Sequence, residues 1–390
     1  MSASHDLYRY SVSQYGDLIC HRERMVAYEE ALRRAVRPGS VVVDIGAGCG
    51  ILSFLACRFG ARRVFSLEPN DAVLLGKEIA AENGVSDRIE FIQELSTDIN
   101  LPERADVVVS DLRGVLPLFE MHLPTIVDAR ERFLAPGGTL IGQRDRLWAA
   151  VVEAPEVYEP LADPWVSGRF DLDLRLGRRF ALNVYRKVRL KPNQLLTEPQ
   201  CWAELDYRLL TEPDVSADVE WDVTRTGLAH GIALWFDASL IDGVEFGSGP
   251  GEPDSPYGMA FLSWLEPVEV LEGDKAAVHL EAKLLGGEYT WRWDSRVLEK
   301  GNRQQIKASF KQSSFLATPH NPNRLRKCAD DYIPELGEDG QVEQLILDLM
   351  DGQATLQAIA ETVSGRFPAR YPSWEDALAR VAEASKDFSR

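Results

Sequence analysis

The chain has 390 residues, 45% hydrophobic and 27% charged, enough to bury two or three globular cores. Its formal net charge of −18 argues against a general nucleic-acid binder, which needs a basic face to neutralise phosphates. The five cysteines (Cys20, Cys49, Cys57, Cys201, Cys328) are scattered without a C-x-x-C, and the six histidines form no H-x-x-x-H pair, so neither a disulfide framework nor a metal site is expected.

The polar start, Met1 to Tyr10, lacks an apolar signal region, and no stretch approaches the roughly 20 apolar residues of a membrane span, so a cytoplasmic protein is expected. From about Arg24 to Ala150 helix and strand patterns alternate, the mark of a doubly wound sheet. Helix Arg24 to Ala35 precedes strand Val41 to Asp44; helix Ile51 to Phe59 precedes strand Arg63 to Glu68; helix Ala72 to Asn83 precedes strand Ile89 to Gln93. A fourth strand, Ala105 to Ser110, runs to Asp111. A helix from Leu118 to Arg132 then leads to a glycine turn and strand over Leu134 to Ile141.

Within this region VVVDIGAGCG, Val41 to Gly50, places a strand suited to burial on both faces before a turn built on Gly46, Gly48 and Gly50, where a ligand can approach the backbone. Asp44 and Glu68 close successive strands at the carboxyl edge, where open α/β sheets bind ligands, and an acid in the second position suits a ribose diol. The dinucleotide fingerprint G-x-G-x-x-G fails because Ile51 stands at its third glycine. S-adenosylmethionine is therefore the first cofactor to consider.

From about Leu147 to Leu316 the pattern changes to short β runs, among them Val219 to Val223, Gly231 to Phe236, Ala276 to Lys283 and Tyr289 to Trp293. Turns at Asp242-Gly243, Gly247 to Gly251 and Gly286-Gly287 favour an antiparallel sandwich or barrel. Beyond Pro319 three short amphipathic helices follow. Their stripes are Val342, Leu345, Ile346, Leu349 and Met350, then Leu356, Ile359, Ala360 and Val363, then Trp374, Leu378 and Val381 behind an N-cap at Ser373. A hairpin around Tyr332 to Gly340 is expected ahead of them.

The order of segments resembles the protein arginine methyltransferases over roughly residues 8 to 316, on VVVDIGAGCGILS (Val41 to Ser53), VFSLEPN (Val64 to Asn70), VVVSDLRGVLPLFE (Val107 to Glu120), LAPGGTLI (Leu134 to Ile141) and HGIALWFD (His230 to Asp237). The run from Ser110 to Glu120 is the most specific of these. The resemblance implies an α/β Rossmann-like methyltransferase domain (1–146) followed by an antiparallel β-barrel domain (147–318). It also implies that Asp111 and Glu120 are paired carboxylates for an acceptor nitrogen, a guanidinium being a planar fork that such a pair can bind bidentately. Arg24 would bind the cofactor's carboxylate, with Asp44 near its amino-acid end. Glu68 would hold the ribose, and Glu94 with Leu95 would lie near the adenine. Two departures stand out: the first clamp position is usually glutamate but here is Asp111, shorter by one methylene. The stretch SPYGMAFLSW, Ser255 to Trp264, lacks the family's threonine-histidine-tryptophan triplet. Tyr8 and Tyr10 match the family's amino-terminal tyrosines only loosely.

The last segment, 319–390, is similar to PqqD, the peptide chaperone of pyrroloquinoline quinone biosynthesis, on LILDLMDGQATLQAIAETV, Leu345 to Val363. That implies a small winged-helix-like domain taking up a leader peptide as an added strand. A DNA-binding winged helix is disfavoured because Arg370, Arg380, Lys386 and Arg390 are interleaved with acids. Together the resemblances imply methylation of a side-chain nitrogen on a ribosomally made precursor peptide, with no nucleic-acid or membrane partner. Homodimerisation through an arm, Pro155 to Val184, is also implied. The rivals are a conventional protein arginine methyltransferase and a catalytically weak adaptor that binds cofactor and peptide.

Overall fold

In the computed structural model, which describes residues 11–252 and 255–389, two helices, α1 (Val12–Cys20) and α2 (Arg22–Ala35), lead into the first strand, β1 (Val41–Ile45). Tyr8 and Tyr10 lie outside the described residues. Helix α1 has no counterpart among the elements expected from the sequence, although Ser11 and Gln14 form a reciprocal capping box at its start. After β1 come α3 (Ile51–Arg58), β2 (Arg63–Leu67), α4 (Ala72–Glu82), β3 (Ile89–Ile92), β4 (Ala105–Ser110), α5 (His122–Arg132) and β5 (Leu134–Ile141). The five strands form a parallel sheet in the order β3-β2-β1-β4-β5.

The register of that sheet positions the site. Ile45 pairs with Leu67 on one side and with Ser110 on the other, so Gly46, Glu68 and Asp111 leave three adjacent strands at one level. Helix α5 begins four residues later than expected from Leu118. Pro124 explains the delay, because it lacks an N–H and its ring would clash with the carbonyl of Glu120 in a continuous helix. The residues before α5 instead turn, and Glu120 takes a left-handed φ of 43°.

The antiparallel part of the chain opens with β6 (Arg144–Val152). An excursion follows through α6 (Pro155–Ala162), a two-strand ribbon, β7 (Ser167–Arg169) with β8 (Leu172–Asp173), and α7 (Arg175–Ala181). It continues with β9 (Tyr185–Val188), β10 (Gln200–Asp206), β11 (Val215–Asp222), β12 (Gly227–Ile241), β13 (Val244–Gly247), β14 (Met259–Val270), β15 (Lys275–Leu285), β16 (Glu288–Glu299) and β17 (Asn302–Ser313). One sheet is ordered β10-β6-β12-β14-β9, with β13 on β12; the other is β11-β15-β16-β17. Alternation along β6 and β12 gives each strand two buried faces. Ala149, Val151, Leu234 and Phe236 join the core shared with the parallel sheet, while Ala150, Val152, Ala233 and Trp235 pack with Tyr158, Leu161 and Leu182 of the excursion.

A separate compact unit begins at His320 and holds α8 (Pro322–Arg326), α9 (Glu338–Leu349), α10 (Leu356–Arg366) and α11 (Trp374–Phe388). Val342, Ile346, Ile359, Val363, Ala377 and Val381 form its core. Ser373 caps α11 reciprocally with Asp376, as the sequence suggests. The expected hairpin at Tyr332 to Gly340 does not form: no strand occurs among the described residues of this unit, and Glu338 already opens α9. Pro334 removes a ladder donor, and Glu338 with Asp339 suit a helix start. Among the described residues of the chain, no helix is long and apolar enough to cross a membrane.

Candidate active site

The glycine turn is shaped by backbone conformations that side chains resist: φ is 68° at Gly46, 56° at Gly48 and 88° at Gly50. A Cβ on Gly46 would meet Leu112 at 2.3 Å, and one on Gly48 would meet the ring of Tyr15 at 2.4 Å. The turn is therefore covered by the segment leaving β4 and by α1. Behind it, Asp44 is 1% exposed. Its Oδ2 accepts from Ser53 Oγ at 2.7 Å, while its Oδ1 is buried without a hydrogen-bond partner among the described residues. Burial pushes the Asp44 carboxyl up to about 7.

Glu68 is buried beside the turn. Its Oε2 accepts the backbone N–H of Gly48 at 2.8 Å, and Oε1 accepts the N–H and side-chain amide of Asn70, both at 2.9 Å. Of the roughly four lone-pair positions of a carboxylate, three are taken, two on Oε1 and one on Oε2, so Oε2 retains acceptor capacity. Glu94 and Leu95 lie exposed just past β3.

Asp111 and Glu120, the two expected clamp carboxylates, have different surroundings. Asp111, with its side chain 6% exposed, takes Arg24 Nε at 2.7 Å and the Tyr257 hydroxyl at 2.5 Å on Oδ2, and Arg113 Nη1 at 3.3 Å on Oδ1. Burial opposes its ionisation, but the two arginines and the Tyr257 hydrogen bond prevail and hold it below the usual carboxylate range. Glu120 makes no hydrogen bond among the described residues; burial and the neighbouring carboxylate of Glu288 push it up to about 7. Burial first, then Glu120 and Glu288, raise Tyr185, whose ring lies 6.2 Å from that of Trp291.

Sequence reasoning missed Tyr257, Arg113 and Glu288. Tyr257 precedes β14 in the stretch lacking the threonine-histidine-tryptophan triplet, where Gly258 turns the chain with a φ of 65°. Its ring stacks on Phe246 and meets Phe236 edge-on, with centroids 5.8 and 5.2 Å away. Arg113 binds Asp145 through Nε at 2.7 Å and Nη2 at 2.9 Å, and Tyr207 donates to the same carboxylate. Asp145 is fully buried, so this pair fixes the segment leaving β4 to the antiparallel part. The acidic pair Glu120 and Glu288 had no sequence signal, because Glu288 enters from a distant hairpin.

Residues 27–145 match the family model for ribosomal protein L11 methyltransferase. A probable protein arginine N-methyltransferase 6 of Arabidopsis thaliana is 29% identical over 248 residues, 61% of this chain and 55% of that protein, so the chain spans little more than half of that relative's length. Protein arginine N-methyltransferase 6 of Xenopus laevis is 29% identical over 63% of this chain and 75% of its own. Among solved structures, the Trypanosoma brucei PRMT1 enzyme-prozyme complex with AdoHcy superposes with a TM-score of 0.72 at 20% identity, covering 79% of this chain and 99% of that one. Arabidopsis thaliana protein arginine methyltransferase 10 superposes at 0.68 and 21% identity, covering 78% and 98%. The chain is an S-adenosylmethionine-dependent methyltransferase. It is similar to the protein arginine methyltransferases, and it has their fold, a Rossmann-like parallel sheet joined to an antiparallel domain.

S-adenosylmethionine fits the residues present. The unpartnered Asp44 Oδ1 is a buried acceptor suited to an ammonium donor, and the side-chain-free glycine turn lies beside the carboxylate of Glu68. When bound, the cofactor supplies an electrophilic methyl group.

Proposed function

We propose that this enzyme methylates a side-chain nitrogen, of arginine or another residue, on a ribosomally made precursor peptide recruited by the unit that begins at His320. The observation that carries the reading is the segment from Asp111 to Glu120. It lies on the cofactor turn through Leu112 against Gly46 and ends in Glu120, a carboxylate with no hydrogen bond among the described residues. Glu120 orients the acceptor, stabilises its developing positive charge and takes its proton, while Asp111 serves the site from the same segment. Arg24, Asp44, Gly46, Gly48 and Glu68 hold the cofactor, with Glu94 and Leu95 near its adenine.

The proposed functional division of the chain is 1–146 for cofactor, a β-barrel over 147–318 for substrate and dimerisation, and 319–390, the segment similar to PqqD, for peptide recognition. The lack of a strand among the described residues of the last unit removes the edge for strand addition there. Recruitment instead uses exposed apolar side chains such as Ile333 and Leu336, 84% and 57% exposed. The arm over Pro155 to Val184 is proposed to pair two copies into a homodimer.

Intact-mass spectrometry of a candidate precursor, with and without its leader, incubated with full-length enzyme and S-adenosylmethionine tests the reading. A gain of methyl mass that depends on the leader supports it. The arginine methyltransferase relatives favour a second reading, action on cellular proteins, which equal methylation of arginine-rich peptides and indifference to the leader would select.

A further inference from the structure

We propose that Tyr257 is a positioning residue that works through Asp111 and Arg24 to set the arginine for the cofactor's carboxylate, leaving Glu120 as the carboxylate of this segment that meets the acceptor. The assignment rests on the reading of the glycine turn as the cofactor site. Three groups converge on one point: Arg24 Nε lies 2.7 Å from Asp111 Oδ2 and 3.0 Å from the Tyr257 hydroxyl, which donates to that same oxygen at 2.5 Å. All are nearly closed to solvent, with Arg24 and Tyr257 each 4% exposed. The arrangement is a closed triangle in which one guanidinium N–H is shared between a carboxylate and a hydroxyl, and the hydroxyl hydrogen completes the ring.

Counting acceptor positions shows what this leaves. A carboxylate offers about four, and Asp111 spends three, on Arg24, Tyr257 and Arg113. Bidentate capture of an acceptor guanidinium needs free positions on both oxygens. Asp111 is thus an internal counter-ion. Its short side chain suits that duty, since aspartate reaches Arg24 and Arg113 while staying buried.

Arg24 is held on its own side as well. Its Nη1 donates to the Leu18 carbonyl at 3.2 Å and contacts Met25 Sδ at 3.1 Å. Nη2 has no protein hydrogen bond among the described residues and is the nitrogen available to a carboxylate. The hydroxyl of Tyr257 fixes Asp111 Oδ2, Asp111 fixes Nε, and the plane of the guanidinium follows. The aromatic stack on Phe246 in turn fixes Tyr257. A residue of the antiparallel domain thus orients Arg24 through Asp111.

The test is calorimetric titration of S-adenosylhomocysteine, which needs no acceptor, into the wild type, Tyr257→Phe, Arg24→Ala and the double variant. Tyr257→Phe removes one oxygen and no charge. It is expected to weaken binding by about tenfold, the lower end of the scale for one hydrogen bond to a charged group, and to add nothing once Arg24 is alanine. In steady state it should raise KM for the cofactor and leave KM for the acceptor unchanged, whereas Glu120→Gln should do the reverse. Equal weakening by Tyr257→Phe in both backgrounds, or a raised acceptor KM with unchanged cofactor binding, overturns the proposal. Failure of the wild type to bind S-adenosylhomocysteine overturns the cofactor reading beneath it.

Discussion

The backbone N–H of Gly48 donates to Glu68 Oε2 at 2.8 Å, tying the glycine turn after β1 to the acid that ends β2. The bond needs the left-handed φ of Gly48, and it fixes the carboxylate at the sheet edge with acceptor capacity to spare. Glu68→Gln exchanges one acceptor oxygen for a donor while keeping the shape. We expect it to weaken S-adenosylhomocysteine about tenfold to a hundredfold, the scale of one or two buried charged hydrogen bonds. Titration calorimetry measures this, and a change below twofold would remove Glu68 from the cofactor site.

Asp44 makes cofactor binding depend on pH. Burial raises its carboxyl from 3.8 to about 7, so between those values the folded, unliganded protein binds a proton that the unfolded chain releases. Its contribution to stability therefore falls as pH rises through that window. An ammonium donor at Oδ1 favours the carboxylate and expels the proton. Cofactor affinity should decline below pH 7, by at most about tenfold per unit, with proton release visible in buffers of different ionisation enthalpy. Asp44→Asn should abolish the release, and an unchanged release would place the titrating group elsewhere.

Glu120 sets the acidic limb of turnover. Burial and then Glu288 raise it from 4.5 to about 7, so it carries its proton at lower pH and meets a cationic acceptor poorly there. With saturating cofactor, kcat/KM for the acceptor should fall below pH 7. Glu288→Gln removes the like charge, which lowers the Glu120 pKa and shifts the limb to lower pH. Glu120→Gln should cost about a hundredfold in kcat, the scale of general-base assistance, and flatten the limb. A limb that stays in place in Glu288→Gln would show that the two carboxylates do not couple.

The reach of sequence reasoning differed sharply between the two halves of the site. The strands at Val41 and Arg63, the glycine turn, Asp44 and Glu68 are readable because apolar runs, glycines and strand-end acids sit within one continuous stretch of chain. Tyr257 and Asp111 are 146 residues apart and no periodicity links them. Likewise Glu288 comes within electrostatic reach of Glu120 only because the antiparallel domain brings a hairpin back to the parallel sheet. Local errors had local causes: Pro124 delays α5, and Pro334 with the acids at Glu338 and Asp339 favours a helix start over the hairpin. Ser11 and Gln14 carried a capping signal for α1 that was open to reading.

The arm supplies a direct check on assembly. Phe170, Leu172 and Leu176 are 82%, 56% and 73% exposed, an uneconomical display of apolar surface for an arm facing only water. In a homodimer built through this arm, Phe170→Glu with Leu176→Glu should convert a species of twice the chain mass into one of single mass by light scattering at micromolar concentration. The parent chain running at single mass would refute the arm-mediated dimer outright.

His122 governs acid stability. It lies buried in α5 with Nε2 3.3 Å from the Tyr207 hydroxyl, and burial, with the nearby Arg113 cation, lowers it from 6.5 to about 3. Between those values the unfolded chain takes up a proton that the folded one refuses, so the stability it contributes is lost as pH falls below 6.5. The slope for one such group approaches about 1.4 kcal/mol per pH unit. His122→Gln retains a polar side chain beside Tyr207 without the titration. Urea unfolding between pH 6 and pH 4.5 should therefore show a shallower loss of stability in the variant, by up to that slope, whatever its stability at pH 7. Parallel slopes for the two proteins would mean that His122 is protonated within the fold, and that the charge of Asp111 outweighs its burial and Arg113.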